Sequence, residues 1–149
     1  MHLLKTVRPD YQFYVLRNGD KQVLSQQPDA LVVGPGPMTP ADTGVLQDYF
    51  EQVITSKHIP VLGVCLGMQF IAWHEGVEVD RSTSPAHGAE TIVKHQQNNI
   101  FKGASPHFKG ARYNSLEIQS DRVENSPELE LLAYAPENNA AMALKHINH

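Results

Sequence analysis

Pro60-Val61-Leu62-Gly63-Val64-Cys65-Leu66-Gly67-Met68-Gln69 joins a short apolar run to a helix-forming one, with a cysteine at the seam. Val61, Leu62 and Val64 read as a short buried strand. Met68 to Glu75 reads as a helix, with Gly76 as its C-cap. Cys65 lies inside Gly-x-Cys-x-Gly, the nucleophile-elbow pattern with sulfur in place of the hydroxyl. At such a turn a strained backbone pushes the side chain out of the sheet. Glycine is expected at 63 and 67 because a Cβ there would strike the neighbouring strand or helix. The thiol then sits at a helix N-terminus, where the dipole favours a thiolate. The Leu66 N–H is left to meet a developing oxyanion. A lone cysteine is also a common small buried hydrophobe, and this pattern alone leaves both readings open. A metal site is not expected, because no Cys or His stands at ligand spacing from Cys65.

The bulk numbers agree with an ordinary soluble domain. The chain has 149 residues, 41% hydrophobic and 19% charged, enough for one domain. The net charge is −4 and no basic cluster appears, which argues against a nucleic-acid partner. One cysteine excludes an internal disulfide and suits a reducing cytoplasm. Met1-His2-Leu3-Leu4-Lys5 lacks the apolar core of a signal peptide. No apolar run is long enough to span a bilayer, so no membrane partner is expected.

Upstream of the cysteine, Leu3 to Val7 reads as the end of a helix stopped by Pro9. Gln12 to Arg17 reads as a strand, and Asn18-Gly19-Asp20 as a turn. Ala30-Leu31-Val32-Val33 is a short apolar run of the kind found in buried parallel strands. It ends in Gly34-Pro35-Gly36-Pro37-Met38-Thr39-Pro40, where two glycines and three prolines in seven residues make a stiff loop. Open α/β sheets bind ligands just beyond strand C-termini, although a rigid connector is an equally local reading of this loop. Asp42 or Thr43 is expected to cap a helix carrying Leu46, Phe50, Val53 and Ile54 on one face. Strand, helix, strand implies a right-handed crossover and a parallel pair. It puts the Gly-Pro loop and Cys65 at one sheet edge.

Downstream the pattern is less regular. Val77-Glu78-Val79 reads as a short strand and Ser82 to Gly88 as a loop. Thr91 to His95 is β-branched, Gln96 to Ile100 is turn-like, and two further loops follow before Ala111 to Ile118 enters a strand. Leu129 to Ala135 reads as a strand. After Asn138-Asn139, the run Ala140 to Lys145 suits either a pairing strand or a helix.

Three motifs now stand in order: Gly34-Pro35-Gly36-Pro37 with Gly44 following, Gly63-Val64-Cys65-Leu66-Gly67-Met68-Gln69, and Arg112-Tyr113-Asn114-Ser115-Leu116. Together they resemble class I, triad-type glutamine amidotransferases, most closely the glutaminase subunits of anthranilate synthase or aminodeoxychorismate synthase. Pro85-Ala86-His87-Gly88 resembles that subfamily's Pro-x-His-Gly loop. The resemblance implies an α/β fold: an open, mostly parallel sheet with flanking helices and a flavodoxin-like core, and an antiparallel portion in the second half. It implies that Cys65 is the nucleophile and that the N–H groups of Gly36 and Leu66 form the oxyanion hole. Gly34, Pro35 and Gly36 would line the glutamine pocket and Gln69 would contact the substrate. Ser115 and Leu116 would hold the amino-acid end of glutamine through their backbone. No cofactor is implied. The implied partners are L-glutamine and a chorismate-utilising synthase subunit, in a heteromer.

Against the family pattern, residues 1–149 are expected to form a single domain that is incomplete at both termini. The family usually opens with a strand and an Asp-Asn-x-Asp-Ser-Phe segment. It closes on a Gln-Phe-His-Pro-Glu segment that carries the triad histidine and glutamate. Here the chain stops at Lys145-His146-Ile147-Asn148-His149, so little activity is expected of it alone. An unassisted thiol is only about a few per cent ionised at neutral pH, and His58, His74, His87, His95, His107, His146 and His149 are poor substitutes for the missing base. The alternatives are a catalytically silent subunit that binds glutamine or the synthase, and an unrelated α/β-hydrolase-type cysteine enzyme. The second gives the Gly-Pro-Gly loop no job.

Overall fold

The computed structural model describes residues 2–56 and 58–148, apart from the side chains of Leu24, Val53, Ile54 and Thr55. The chain opens with α1 (His2–Val7), which breaks before Pro9 as its fixed φ and missing N–H require. The expected strand over Gln12 to Arg17 is instead irregular, and Tyr14 and Val15 are exposed there. Aromatic and β-branched residues make a strand only where a neighbouring ladder and a buried face receive them. The expected turn at Asn18-Gly19 is present.

β1 (Leu31–Val33) and β2 (Val61–Gly63) pair in parallel, Leu31 opposite Val61 and Val33 opposite Gly63. They are joined through α2 (Val45–Tyr49), which runs directly into a π-helical turn over Phe50–Thr55. The cap differs from expectation. Gly44, at φ +53, precedes α2. Thr39 and Asp42 instead form a capping box on a short 3-10 turn, Pro40–Asp42, and the Thr43 hydroxyl donates to the Pro40 carbonyl at 2.7 Å. Leu46 and Phe50 do face inward; the Val53 and Ile54 members of the expected apolar face lie outside the described side chains. The parallel pair is half-covered rather than buried, since Val32 and Leu62 stand opposite each other and are both exposed.

α3 (Leu66–His74) begins directly after the cysteine, ahead of the expected Met68, and ends one residue before the expected Glu75. Gly76 sits at φ +78, donating to the Trp73 carbonyl at 3.0 Å while Val77 donates to Ala72 at 2.9 Å. That is a Schellman closure, which needs a residue tolerant of the left-handed region.

The second half is an antiparallel sheet of β3 (Asp80–His95), β4 (His107–Glu117), β5 (Leu129–Ala135) and β6 (Ala140–His146), in the order β4-β3-β5-β6. The antiparallel portion therefore holds four of the six named strands. The expected loop from Ser82 to Gly88 is the irregular middle of β3. Its register with β4 shifts between Arg81 and Ala86 and again between His87 and Ala89. Pro85 has no N–H to give the ladder, and Gly88 stands at φ +97, so both suit bulges. Residues 77–79 are not a strand; β3 begins at Asp80. The ambiguous terminal run resolves as β6, paired with β5 across the Asn138-Asn139 turn. α4 (Ser120–Glu124) lies between β4 and β5 and has no counterpart in the sequence reading.

α3 is apolar on more than one side because it separates two cores. Ala72 packs with Val77, Ile118, Val123, Leu129 and Ala141 from the antiparallel half. Phe70 packs with Tyr49 and Phe50, and its ring meets that of Phe50 edge-on at 5.2 Å. Ile71 touches both clusters. A helix buried on opposite faces loses the single polar stripe of a surface helix. Burial also raises the Tyr49 phenol above its ordinary pKa, and the phenol donates to the Gln26 carbonyl at 3.2 Å. Phe70→Ala should lower stability by about 3 to 5 kcal/mol, read as the midpoint of urea unfolding. Tyr14→Ala, at an exposed position in the irregular segment, should leave the midpoint within about 0.5 kcal/mol of wild type.

Candidate active site

The elbow is built as the glycine spacing requires. Cys65 stands at φ +56 and ψ −111 immediately before α3, and it is exposed. A non-glycine residue at positive φ costs on the order of 1–3 kcal/mol and persists only where its surroundings enforce it. Here they do. A Cβ on Gly63 would lie 2.5 Å from the Gly67 carbonyl carbon, and one on Gly67 would strike the Val33 carbonyl oxygen. The first turn of α3 therefore rests directly on the backbone of β1 and β2. Leu66 is the first helical residue, so its N–H has no carbonyl one turn back within the helix.

Gly34, Pro35 and Gly36 are exposed just past β1. Because β1 and β2 are parallel, this loop and Cys65 leave the sheet at the same edge. The loop packs on the residue after the cysteine: a Cβ on Gly36 would lie 2.6 Å from Leu66 Cδ2. The cradle and the elbow are thus brought together as the sequence implied.

Ser115 and Leu116 reach the same helix from the other sheet. Gln69, one turn into α3 and buried, donates from Nε2 to the Leu116 carbonyl at 3.0 Å. The side chain expected to contact substrate is thereby committed, on its donor side, to the residue expected to hold the amino-acid end. Ser115 is exposed, and its Oγ lies 3.4 Å from His87 Nε2. His87 belongs to the Pro85-Ala86-His87-Gly88 segment, so the bulge in β3 is what carries it to the clamp.

Of the other histidines weighed as bases, His74 bonds Glu75 at 2.9 Å and packs on Phe50. His95 has both ring nitrogens engaged, by Ser105 O at 2.6 Å and by the Gln97 N–H at 3.0 Å. His146 lies 3.7 Å from Glu75 and 3.8 Å from Glu128. His58 and His107 are exposed. His149 lies outside the described residues. Among the described residues no group of three or more His, Cys, Asp or Glu could hold a metal ion, and no helix is long and apolar enough to cross a membrane.

Beside Ser115 and Leu116 is a buried ionic network that the sequence did not announce. Glu117 and Arg112 are both nearly inaccessible and lie 3.6 Å apart. Glu117 also accepts from Ser82 Oγ at 2.6 Å, Asn138 Nδ2 at 2.8 Å and Gln119 Nε2 at 3.1 Å. Arg112 donates to Asn114 Oδ1 at 3.1 Å, to Glu137 at 3.1 Å and to the Ser84 carbonyl at 3.3 Å. Burying such charges is tolerable only when nearly every donor and acceptor is matched.

The family model of "Glutamine amidotransferase class-I" matches residues 3–149. The chain belongs to the class-I glutamine amidotransferase family. Among curated relatives it is 37% identical to anthranilate synthase component 2 of Halobacterium salinarum, over 85% of this chain and 63% of that one. It is 37% identical to aminodeoxychorismate synthase of Streptomyces griseus, over 89% of this chain and 18% of that one. It is 32% identical to anthranilate synthase component 2 of Leptospira biflexa, over 97% of this chain and 74% of that one. The chain thus spans less than two thirds of the first two relatives' lengths. Among solved structures, a protein from Thermoplasma acidophilum described as a GMP synthase subunit has the same fold, with a TM-score of 0.75 and 23% identity, covering 99% of this chain and 73% of that one.

In this family member the sequence reading named Cys65, the Gly34-Pro35-Gly36 loop and Ser115-Leu116 but missed the polar network beside Ser115 and Leu116. Alternation along β4 would put Arg112 and Glu117, five residues apart, on opposite faces. Nothing in the spacing said that they would meet. Glu117→Leu removes the acceptor of Ser82, Asn138 and Gln119 while Arg112 keeps Glu137, so it should cost about 1–3 kcal/mol. Lys109→Ala breaks the exposed pair to Glu90 and should cost under about 1 kcal/mol. Urea unfolding of the two variants checks both.

Proposed function

We propose that this chain is the glutamine-cleaving part of a synthase that acts on chorismate, with Cys65 as nucleophile. The observation that carries the reading is the positive-φ cysteine at a helix start, with Gly36 packed against the residue after it. The Cys65 sulfur attacks the side-chain amide carbon of L-glutamine. The amide oxygen takes up negative charge as the tetrahedral intermediate forms. The N–H groups of Leu66 and Gly36 are the donors that meet that charge, fixed in advance by the helix start and the proline-stiffened loop. Collapse expels the nitrogen, which leaves as ammonia once protonated, and a γ-glutamyl thioester remains. Water then releases glutamate and restores the thiol.

Gly34, Pro35 and Gly36 line the side-chain pocket, while Ser115 and Leu116 hold the α-amino-acid end. The names of the relatives support anthranilate or aminodeoxychorismate synthesis as the fate of the ammonia, delivered to a synthase partner. The resemblance gives the proton transfers to a histidine–glutamate pair in a Gln-Phe-His-Pro-Glu segment. That string does not occur in the 149 residues, so the decisive test reads the step that Cys65 performs itself.

L-2-amino-4-oxo-5-chloropentanoic acid places an electrophilic carbon where glutamine presents its amide. The sulfur displaces chloride and forms a stable thioether. Labelling should saturate, fall on Cys65 by peptide mass, and run at least about tenfold faster than with the D enantiomer, a preference worth about 1.4 kcal/mol. Cys65→Ala should abolish it. Equal rates for the two enantiomers, with no saturation, would overturn the assignment.

A further inference from the structure

One carbonyl oxygen is held from two directions by side chains of different elements. Leu116 O accepts from Gln69 Nε2 at 3.0 Å and from Asn114 Nδ2 at 3.1 Å. Gln69 belongs to α3, one turn after Cys65, and Asn114 to β4. The Asn114 amide is itself oriented, since its Oδ1 accepts from Arg112 Nε at 3.1 Å. Arg112 is only 4% exposed and is fixed in turn by Ser84, Glu137 and Glu117. A carbonyl oxygen has two lone pairs, so this one has none left for a ligand.

We infer that Asn114 is a positioning residue for glutamine recognition. With Gln69, it fixes the Ser115–Leu116 clamp at a set distance from the Cys65 sulfur by saturating the Leu116 carbonyl. The inference rests on the glutaminase reading above and adds to it how the site measures its substrate. A five-carbon amino acid must span from the clamp at its α-carbon end to the sulfur at its amide end. The two ends of that span stand on different sheets. The backbone ladder of neither sheet sets the gap between them, and the Gln69–Leu116–Asn114 junction does. A second consequence follows for the ligand: with its carbonyl filled, Leu116 meets the amino-acid end through its N–H side only, which suits the α-carboxylate rather than the α-ammonium group.

Asn114→Asp keeps the acceptor that faces Arg112 and loses only the donor to Leu116, so the variant retains its buried partner. Asn114→Ser removes both and adds no charge. The readout is alkylation of Cys65 by the L and D chloroketones, with iodoacetamide as a reagent that needs no amino-acid recognition. Both variants should raise the half-saturation concentration for the L reagent about tenfold. The L-to-D preference should shrink by a similar factor, while the limiting rate at saturation and the iodoacetamide rate stay within about twofold of wild type. A general loosening of the fold would instead move the iodoacetamide rate and the unfolding midpoint together. If both variants keep the wild-type half-saturation and L-to-D ratio, the positioning role is overturned while Cys65 retains its assignment. If the wild-type protein shows no L preference, the glutaminase reading falls and the positioning role falls with it.

Discussion

No carbon can be added at Gly67 without striking the Val33 carbonyl oxygen. The first turn of α3 is pressed onto the backbone of the parallel pair, and Gly63 is pressed against Gly67 from the other side. Between two such contacts the chain has one way to turn, and it is taken with Cys65 at φ +56. The strain at the cysteine is therefore a consequence of close packing on either side of it. Hydrogen bonds reinforce the turn: Val64 N–H donates to Val33 O at 2.9 Å and Gly67 N–H donates to Val64 O at 3.1 Å. Cys65 is exposed at this turn, while Leu66 and Gly67 after it are buried.

The helix launched by that turn organises the rest. Its Phe70 side is claimed by Tyr49 and Phe50, and its Ala72 side by residues of the antiparallel half. A helix buried on two sides cannot shift along or rotate about its axis without opening a cavity on one of them, and interiors packed at crystal-like density resist that. Cys65 is thereby referenced to both halves of the fold, although it contributes little buried surface of its own.

What was legible in the sequence was what depends on near neighbours. The elbow follows from glycines two residues either side of Cys65, and the end of α3 from Gly76. β1 follows from Leu31 to Val33, whereas the run after Asn138-Asn139 was open between strand and helix until its pairing with β5 decided it. What was not legible depends on distant partners. Residues 12–17 have strand-forming side chains and no strand, because no ladder accepts them among the described residues. Residues 82–88 look like a loop in isolation and lie within β3, because β4 pairs on both sides of the irregular part. The cap before α2 was assigned to Asp42 or Thr43 by type, whereas both are drawn into the preceding 3-10 turn and Gly44 is left at the junction. In the candidate site, the motifs pointed to Cys65, Gly36 and Ser115. They carried no information on the 47-residue reach from Gln69 to Leu116.

That long reach is where polar chemistry does what apolar packing cannot. Hydrophobic contact is strong in sum and non-directional, so it sets how tightly two sheets approach better than it sets where one peptide group points. A hydrogen bond is the reverse: modest in net energy and steep in angle. The chain invests a buried guanidinium and a buried carboxylate, an arrangement that contributes little to stability over an apolar equivalent. What it contributes is direction, because Arg112 orients Asn114, and Asn114 and Gln69 together leave the Leu116 carbonyl one orientation. Asn138 donates to Glu117 while its own buried Oδ1 has no partner, so the network orients these groups without satisfying every acceptor in it.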